Sequence, residues 1–217
     1  MSDPTPTAPE RALPLRERKK LQVRRNLVET ALRLFRADGF HQTTLEKLVD
    51  EAEVSTRTFF RYFESKESVA MAAEDELWEA FLARVVSEEL EGPVLEWLRT
   101  AMLTALERMD DGWERRFLAT RGLAARTPEL RAYSALQTTK VQQQLADELE
   151  DAFDIDHANQ LELRLACEFA LSAWRCGAKN WVREERHQPE VGPRAELIER
   201  LREAFDAIPR AITYAAR

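Results

Sequence analysis

The chain has 217 residues, 44% of them hydrophobic and 33% charged, so it can bury a core and is not disordered throughout. It contains only six glycines, and long stretches rich in Ala, Leu, Glu and Arg contain no proline, which favours helices over strands. No window approaches the roughly 18 apolar residues that cross a bilayer, and the polar, proline-rich start has no apolar signal region. We therefore expect a cytoplasmic protein with no membrane partner.

Charge is distributed unevenly along the chain. Residues 11–36 hold nine Lys and Arg against two Glu, and residues 67–217 hold 19 basic against 29 acidic side chains. The net charge of −7 argues against a nucleic-acid binder when the chain is taken whole. A basic beginning on an acidic remainder instead fits a protein that docks on phosphates at one end, although a solvated helix face would explain the basic run equally well.

The sequence contains neither the Cys and His spacings of metal sites nor the motifs that usually mark enzymes. The three histidines are scattered, and Cys167 and Cys176 fall on opposite faces of one predicted helix, where we interpret them as small buried residues. There is no glycine-rich phosphate loop, no Gly-x-Ser-x-Gly elbow and no His-Glu-x-x-His. We predict that the protein is not an enzyme and holds no cofactor or metal. A bound cofactor or measurable turnover would favour the rival interpretation as an enzyme.

The first predicted elements are a disordered arm and four helices. Prolines 4, 6, 9 and 14 predict the arm over residues 1–14, and apolar residues spaced by three and four predict a helix from about Arg16 to Asp38-Gly39. The predicted N-caps of the next three helices are Thr43 or Thr44, Ser55 and Ser65. The third helix is expected to run only from Thr56 to Tyr62 or Phe63.

The short third helix has two contrasting faces. Val54, Phe59 and Phe63 can point into a small core. The opposite face carries Thr56, Arg57, Phe60 and Arg61. Exposed arginines suit the major groove of DNA, where arginine bonds guanine and an apolar group meets the thymine methyl. A helix, a tight turn and a short helix with a basic outer face form a helix-turn-helix.

The rest of the chain predicts long helices only. Their expected ranges are 67–89, 93–109, 113–125, 127–153, 157–185 and 194–215. We predict an all-α protein of about nine helices. Residues 15–66 form a three-helix helix-turn-helix DNA-binding domain, and residues 67–217 form a helical ligand-binding and dimerisation domain.

Residues 18–70 resemble the N-terminal domain of the TetR family of transcriptional regulators. The stretches that carry the resemblance are Gly39–Leu45, Leu48–Ser55, Thr58–Phe63 and Ser65–Glu67. Two positions depart from the family pattern. Phe60 stands where a tyrosine hydroxyl usually bonds a phosphate, and Glu53 stands where the turn usually has glycine, which costs about 1 kcal/mol if its φ is positive.

The resemblance implies DNA-binding roles for individual residues. The side chains near base edges would be those of Ser55, Thr56, Arg57 and Thr58. Phe60 would make an apolar contact, and bases or phosphates would be reached by Arg61 and Tyr62. Phosphates would also be met by Thr44 and Lys66. The basic side chains between residues 16 and 25 would add salt-sensitive attraction to phosphate.

The resemblance also implies a homodimer that responds to a small-molecule effector. The last two helices would pair with those of a second copy, through small residues between 166 and 178 or apolar ones between 197 and 212, some of which must instead belong to the core. The operator would then be an inverted repeat in double-stranded DNA.

Residues of the presumed effector pocket are Trp97, Met102, Leu106, Trp113, Phe117, Arg121, Tyr133, Gln137 and Trp174. Such a lining suits a hydrophobic or acyl-type ligand, with Arg121 or Arg175 as the carboxylate anchor. Ordinary core packing is nevertheless the favoured interpretation of these residues, and a surface ion pair with a nearby acid is the favoured one for either arginine. The family default is a repressor that the ligand releases from its operator. The alternative is a helical protein–protein adaptor without operator-specific binding, which would not explain Arg57, Phe60 and Arg61 on one face.

Overall fold

A computed structural model describes residues 14–87, 92–153, 160–185 and 192–214, which form ten helices and no strand. The helices are α1 (Leu15–Ala37), α2 (Leu45–Glu51), α3 (Thr56–Phe60), α4 (Lys66–Ala70), α5 (Ala72–Ser87), α6 (Val94–Glu107), α7 (Trp113–Ala124), α8 (Pro128–Phe153), α9 (Gln160–Glu185) and α10 (Arg194–Ile212). The all-α fold is therefore confirmed. The predicted arm, apart from Pro14, lies outside the described residues.

The predicted caps define the starts of the first helices. The Thr44 side chain accepts from the Lys47 amide at 3.1 Å, and the Ser55 side chain accepts from the Thr58 amide at 3.1 Å. Ser65 forms a reciprocal capping box with Ser68. Gly39 follows α1 with φ +96°, a left-handed conformation that glycine adopts without steric cost.

Two predicted boundaries are wrong. The third helix ends at Phe60, because the next two amides bond only three residues back, from Arg61 to Thr58 and from Tyr62 to Phe59. The single helix predicted over 67–89 is divided at Met71 into α4 and α5. Neither change is marked by a glycine or a proline, so the sequence pattern carries no sign of them.

The described residues up to Asp75, together with Asp110–Ser134, form one compact unit. Its apolar core is built mainly from α1, α2, α3 and α4. Polar contacts fix α1 against α2: the Asn26 side chain donates to the Ala52 carbonyl at 3.1 Å, and Arg33 pairs with Glu51 at 2.7 Å. This packing holds α3 against the other two helices of the predicted DNA-binding domain. The functional boundary expected after residue 66 stays a prediction.

The second compact unit contains Glu76–Met109 and the described residues from Ala135 onward. Within it α9 packs along α10, and α6 packs against both. The backbones of α9 and α10 approach closely at Gly177, where an added Cβ would lie 2.9 Å from the Arg200 carbonyl oxygen.

The two cysteines of α9 differ in exposure. Both are free, but Cys167 is buried and Cys176 is exposed, so the interpretation of both as buried residues is wrong for Cys176. Burial raises the pKa of the Cys167 thiol to about 12. Cys176 is therefore the more accessible thiol of the two.

Two kinds of feature are absent from the described ranges. No helix in them is long and apolar enough to cross a membrane. The same residues contain no cluster of three or more His, Cys, Asp or Glu suited to a metal ion.

Candidate nucleic-acid interface

The short helix α3 presents a mixed cationic and aromatic surface. Phe59 is fully buried in the core of the first unit, and the four residues of the opposite face, Thr56, Arg57, Phe60 and Arg61, are all exposed. Phe60 is 54% exposed, and its ring meets the Phe59 ring edge-on with 5.4 Å between centroids. Burial of Phe59 thus turns two guanidinium groups and one phenyl ring towards solvent.

The residues at the start of α3 are ordered by their own hydroxyl groups. The Ser55 and Thr58 hydroxyl oxygens lie 2.9 Å apart, and the Ser55 oxygen also accepts from the Thr58 amide. Ser55 is exposed and Thr58 is half-buried. These contacts fix the Ser55 and Thr58 side chains, two of the four that the resemblance places near base edges.

Arg61 and Tyr62 form a stacked pair just after α3. The Arg61 guanidinium lies 5.0 Å from the centre of the Tyr62 ring, and its Nη2 donates to the Tyr62 hydroxyl at 3.4 Å. A guanidinium over an aromatic face is attracted by the ring quadrupole. The two side chains therefore occupy one preformed position at the surface.

The turn before α3 contains Glu53 in a left-handed conformation. Its φ is 54°, and no other non-glycine residue in the described ranges has a positive φ. The turn closes through amide bonds from Glu53 to Asp50 at 3.1 Å and from Val54 to Val49 at 3.0 Å. The strain anticipated for a non-glycine residue here is present.

Lys66 has internal partners that the sequence does not suggest. Its Nζ donates to the carbonyl oxygens of Phe40 at 2.8 Å and Thr43 at 2.6 Å, and lies 4.6 Å from the centre of the Phe40 ring. Burial lowers the pKa of Lys66 from its ordinary 10.5. The ammonium thus ties α4 to the loop before α2, and a phosphate contact would have to use its third N–H. That contact stays a prediction, as does the one for Thr44, which is exposed at the start of α2.

The basic run of α1 is divided between the surface and the interior. Arg16, Lys19 and Lys20 are exposed, and Lys20 pairs with Glu17 at 2.8 Å. Arg25 is mostly buried and pairs with Asp110 at 2.9 Å, and the same carboxylate bonds Arg116. The salt-sensitive attraction expected between residues 16 and 25 therefore rests on the exposed side chains, and Arg25 has a structural contact that sequence spacing cannot reveal.

The residues predicted to line an effector pocket are distributed over both units. In the first unit, Trp113 stacks on Phe117 with 4.9 Å between ring centroids, and its indole N–H donates to the Ala73 carbonyl at 2.8 Å. Arg121 donates to Glu74 at 2.7 Å, and the Tyr133 hydroxyl donates to Asp75 at 3.0 Å. Each of these four side chains therefore has a defined structural partner. The partner of Arg121, Glu74, is buried and was not predicted from the sequence.

The other predicted pocket residues belong to the second unit. Met102, Leu106 and Trp174 are buried, whereas Trp97 and Gln137 are half-buried. Trp174 meets Trp78 edge-on with 6.0 Å between ring centroids. A ligand-lining role for these residues stays a prediction.

Comparison with known proteins finds a family match in the first part of the chain. The sequence model of the bacterial regulatory proteins of the TetR family matches residues 27–73. The chain is 40% identical over 98 residues to the HTH-type transcriptional regulator TcmR of Streptomyces glaucescens, covering 45% of this chain and 43% of TcmR. It is 27% identical over 78 residues to the uncharacterized HTH-type transcriptional regulator YuxN of Bacillus subtilis strain 168, covering 36% of this chain and 25% of YuxN. The chain thus spans less than half the length of these curated relatives.

One solved structure that the chain matches is a transcriptional regulator from Aquifex aeolicus VF5. The TM-score is 0.47 and the identity is 19%, over 86% of this chain and 99% of that one. The family model matches the segment 27–73, which contains α2, α3 and α4 and more than a third of α1. These are the helices that together assemble the exposed cationic face of α3. Over residues 27–73 the chain is therefore similar to the TetR family of bacterial regulatory proteins.

Proposed function

We propose that the protein is a sequence-specific transcriptional regulator that inserts α3 into the major groove of DNA. The observation that carries the proposal is the exposure of Arg57, Phe60 and Arg61 on one face of a helix whose other face is buried. Arginine can bond guanine at two atoms, and a phenyl ring can meet a thymine methyl. The similarity of residues 27–73 to the TetR family of bacterial regulatory proteins supports the same role.

Charge supports DNA approach through the first part of the chain. Residues 1–66 hold 13 basic and 10 acidic side chains, whereas residues 67–217 hold a large acidic excess. The exposed cations of α1 would contact phosphates, release counterions and make binding weaken as salt rises. The acidic remainder would oppose non-specific coating of DNA.

The proposed regulator acts as a homodimer through α9 and α10. Most of the residues first considered for this interface, including Ala170, Gly177 and Leu201, are buried within the single chain. Leu161, Leu165 and Cys176 instead share one exposed face of α9, since 4 and 11 residues correspond to nearly whole helical turns. Exposed leucines on that face favour contact with a second copy. A dimer would present two α3 helices to an inverted-repeat operator.

Regulation by a small hydrophobic or acyl-type ligand, with repression as the ligand-free state, completes the proposal. Its support is the family resemblance together with the aromatic residues of the predicted pocket. A ligand can release DNA only to the extent that it prefers the non-binding state, and a coupling of about 1–3 kcal/mol would weaken operator affinity by roughly 5- to 150-fold.

Selection of bound duplexes from a random library tests the proposal directly. We expect the enriched sequences to form an inverted repeat with half-sites about one helical turn apart, bound with an affinity that falls steeply with salt. Enrichment of no sequence, with at most weak non-specific binding, would contradict it and favour the protein–protein adaptor.

A further inference from the structure

The break between α4 and α5 occurs where the sequence predicts a continuous helix. Met71, between the two helices, has φ −100° and ψ 4° and is fully buried. Its carbonyl oxygen accepts from two amides, that of Glu74 at 2.9 Å and that of Asp75 at 3.1 Å. In a regular α-helix the Glu74 amide would instead donate to the Ala70 carbonyl, four residues back.

A side chain from α7 satisfies the Ala70 carbonyl. The Thr120 hydroxyl donates to the Ala70 oxygen at 2.9 Å, and Thr120 is fully buried. A buried carbonyl without a donor costs free energy, so the break and the threonine hydroxyl are complementary. The same oxygen has two possible donors, the Thr120 hydroxyl in the broken helix or the Glu74 amide in a straight one.

Further bonds from α7 and α8 converge on the same segment. Trp113 of α7 donates its indole N–H to the Ala73 carbonyl at 2.8 Å. The buried Glu74 carboxylate accepts from Arg121 of α7 at 2.7 Å and from Ser134 of α8 at 2.6 Å. Hydrogen bonds depend sharply on distance and angle, so a small displacement of α7 would break several of these bonds together.

We propose that residues 70–75 form a two-state joint, broken or straight, and that Thr120 is the positioning residue that selects the broken form. α4 packs into the core that supports α3. Exchange of the donor at Ala70 would therefore shift the end of α4 and, through this shared core, the position of α3. The joint's effect on DNA rests on the proposed function, whereas the donor exchange itself does not.

The test compares Thr120→Val, which keeps the shape but removes the donor, with Thr120→Ser, which keeps the donor. Backbone chemical shifts of the full-length protein report ψ of Met71, which is 4° in the break and about −42° in an α-helix. We expect Thr120→Val to move Met71 towards helical values and Thr120→Ser to retain the values of the unmutated protein. Wild-type shifts in Thr120→Val, or the same change in both variants, would overturn the joint. Thr120→Cys, with a weak donor of similar size, provides the same comparison if the valine variant does not fold.

Operator binding is the second measurement, made on a duplex selected with the unmutated protein. Thr120→Val should change affinity by about 2- to 12-fold, the range expected for one hydrogen bond, without changing the salt slope, because no phosphate contact is lost. Thr120→Ser should restore the affinity. A change in the Met71 chemical shifts with unchanged affinity would refute the joint's role in DNA binding. If the unmutated protein bound no duplex, the proposed function would be refuted. The Met71 comparison would still be decisive for the joint.

Discussion

The left-handed backbone of Glu53 stores strain in the turn that orients α3. A side chain at φ 54° is unfavourable by about 1 kcal/mol relative to glycine, which has no Cβ. We expect Glu53→Gly to raise the free energy of unfolding by that amount, measured by urea denaturation. Glu53→Gln removes the charge and leaves the strain, so equal stabilisation by both variants would assign the effect to electrostatics instead.

We expect Arg57 to read a base. It is exposed on α3, and its replacement by alanine should cost roughly 1–3 kcal/mol at the selected operator and relax discrimination at one base pair. Lys19→Ala, on the exposed face of α1, is the matched control and should weaken binding to every duplex alike. The measurement is a binding titration against single-base operator variants; uniform loss for Arg57→Ala would restrict Arg57 to phosphate contact.

At the scale of single residues, prediction from sequence depends on whether the signal is local. The caps at Thr44, Ser55 and Ser65 bond to amides within three residues, so their pattern is visible in the sequence. The partners of Lys66 lie 23 and 26 residues away. No local pattern distinguishes such an internal lysine from one that is free to meet DNA.

Among the helices, α9 and α10 depend on a glycine at their crossing. A Cβ at position 177 would lie 2.9 Å from the Arg200 carbonyl oxygen and 3.0 Å from the Leu201 Cα. Because backbone cannot move aside as a flexible side chain can, Gly177→Ala should destabilise the protein by about 1–3 kcal/mol in thermal or urea unfolding.

Gly122 is the matched control for this substitution. It lies within α7, and an added Cβ there would have no neighbour within 4 Å. Gly122→Ala should stabilise the protein by about 0.5–1 kcal/mol, because alanine loses less backbone freedom on folding. Similar effects of the two variants would contradict the close packing at Gly177.

The division at Met71 shows where helix prediction fails. Apolar residues continue through the break, and Val69, Met71 and Ala73 are all buried. Periodicity therefore predicts one helix. The break depends on donors from α7, whose residues follow some 40 to 50 positions later in the chain.

For the whole molecule, the proposed dimer makes a prediction about the exposed face of α9. Leu165 is 44% exposed, and Leu165→Asp should leave the single chain folded but place a charge in the interface between two copies. We expect light scattering to report a dimer for the unmutated protein and a monomer for the variant, with loss of operator binding. Leu136→Asp, at an exposed leucine of α8 that is not on this face, is the control and should remain dimeric.

Thiol labelling gives an independent measure of the same interface. Exposed Cys176 should react in the monomeric variant, and buried Cys167 should not, because burial also raises its pKa to about 12. Cys176 should be protected in the dimer. Equal labelling of Cys176 in the monomer and the dimer would move the interface elsewhere.

Periodicity, capping residues and charge distribution were sufficient to predict an all-α chain, the helix-turn-helix and the outward face of α3, since each depends on residues within one or two helical turns. The assignment of apolar residues of α9 and α10 to the interior, the exposure of Cys176, the internal bonds of Lys66 and Arg25, and the break at Met71 were decided by tertiary packing. Each of these depends on which distant helix supplies a neighbour or a hydrogen-bond donor, and spacing along one helix contains no information about that partner.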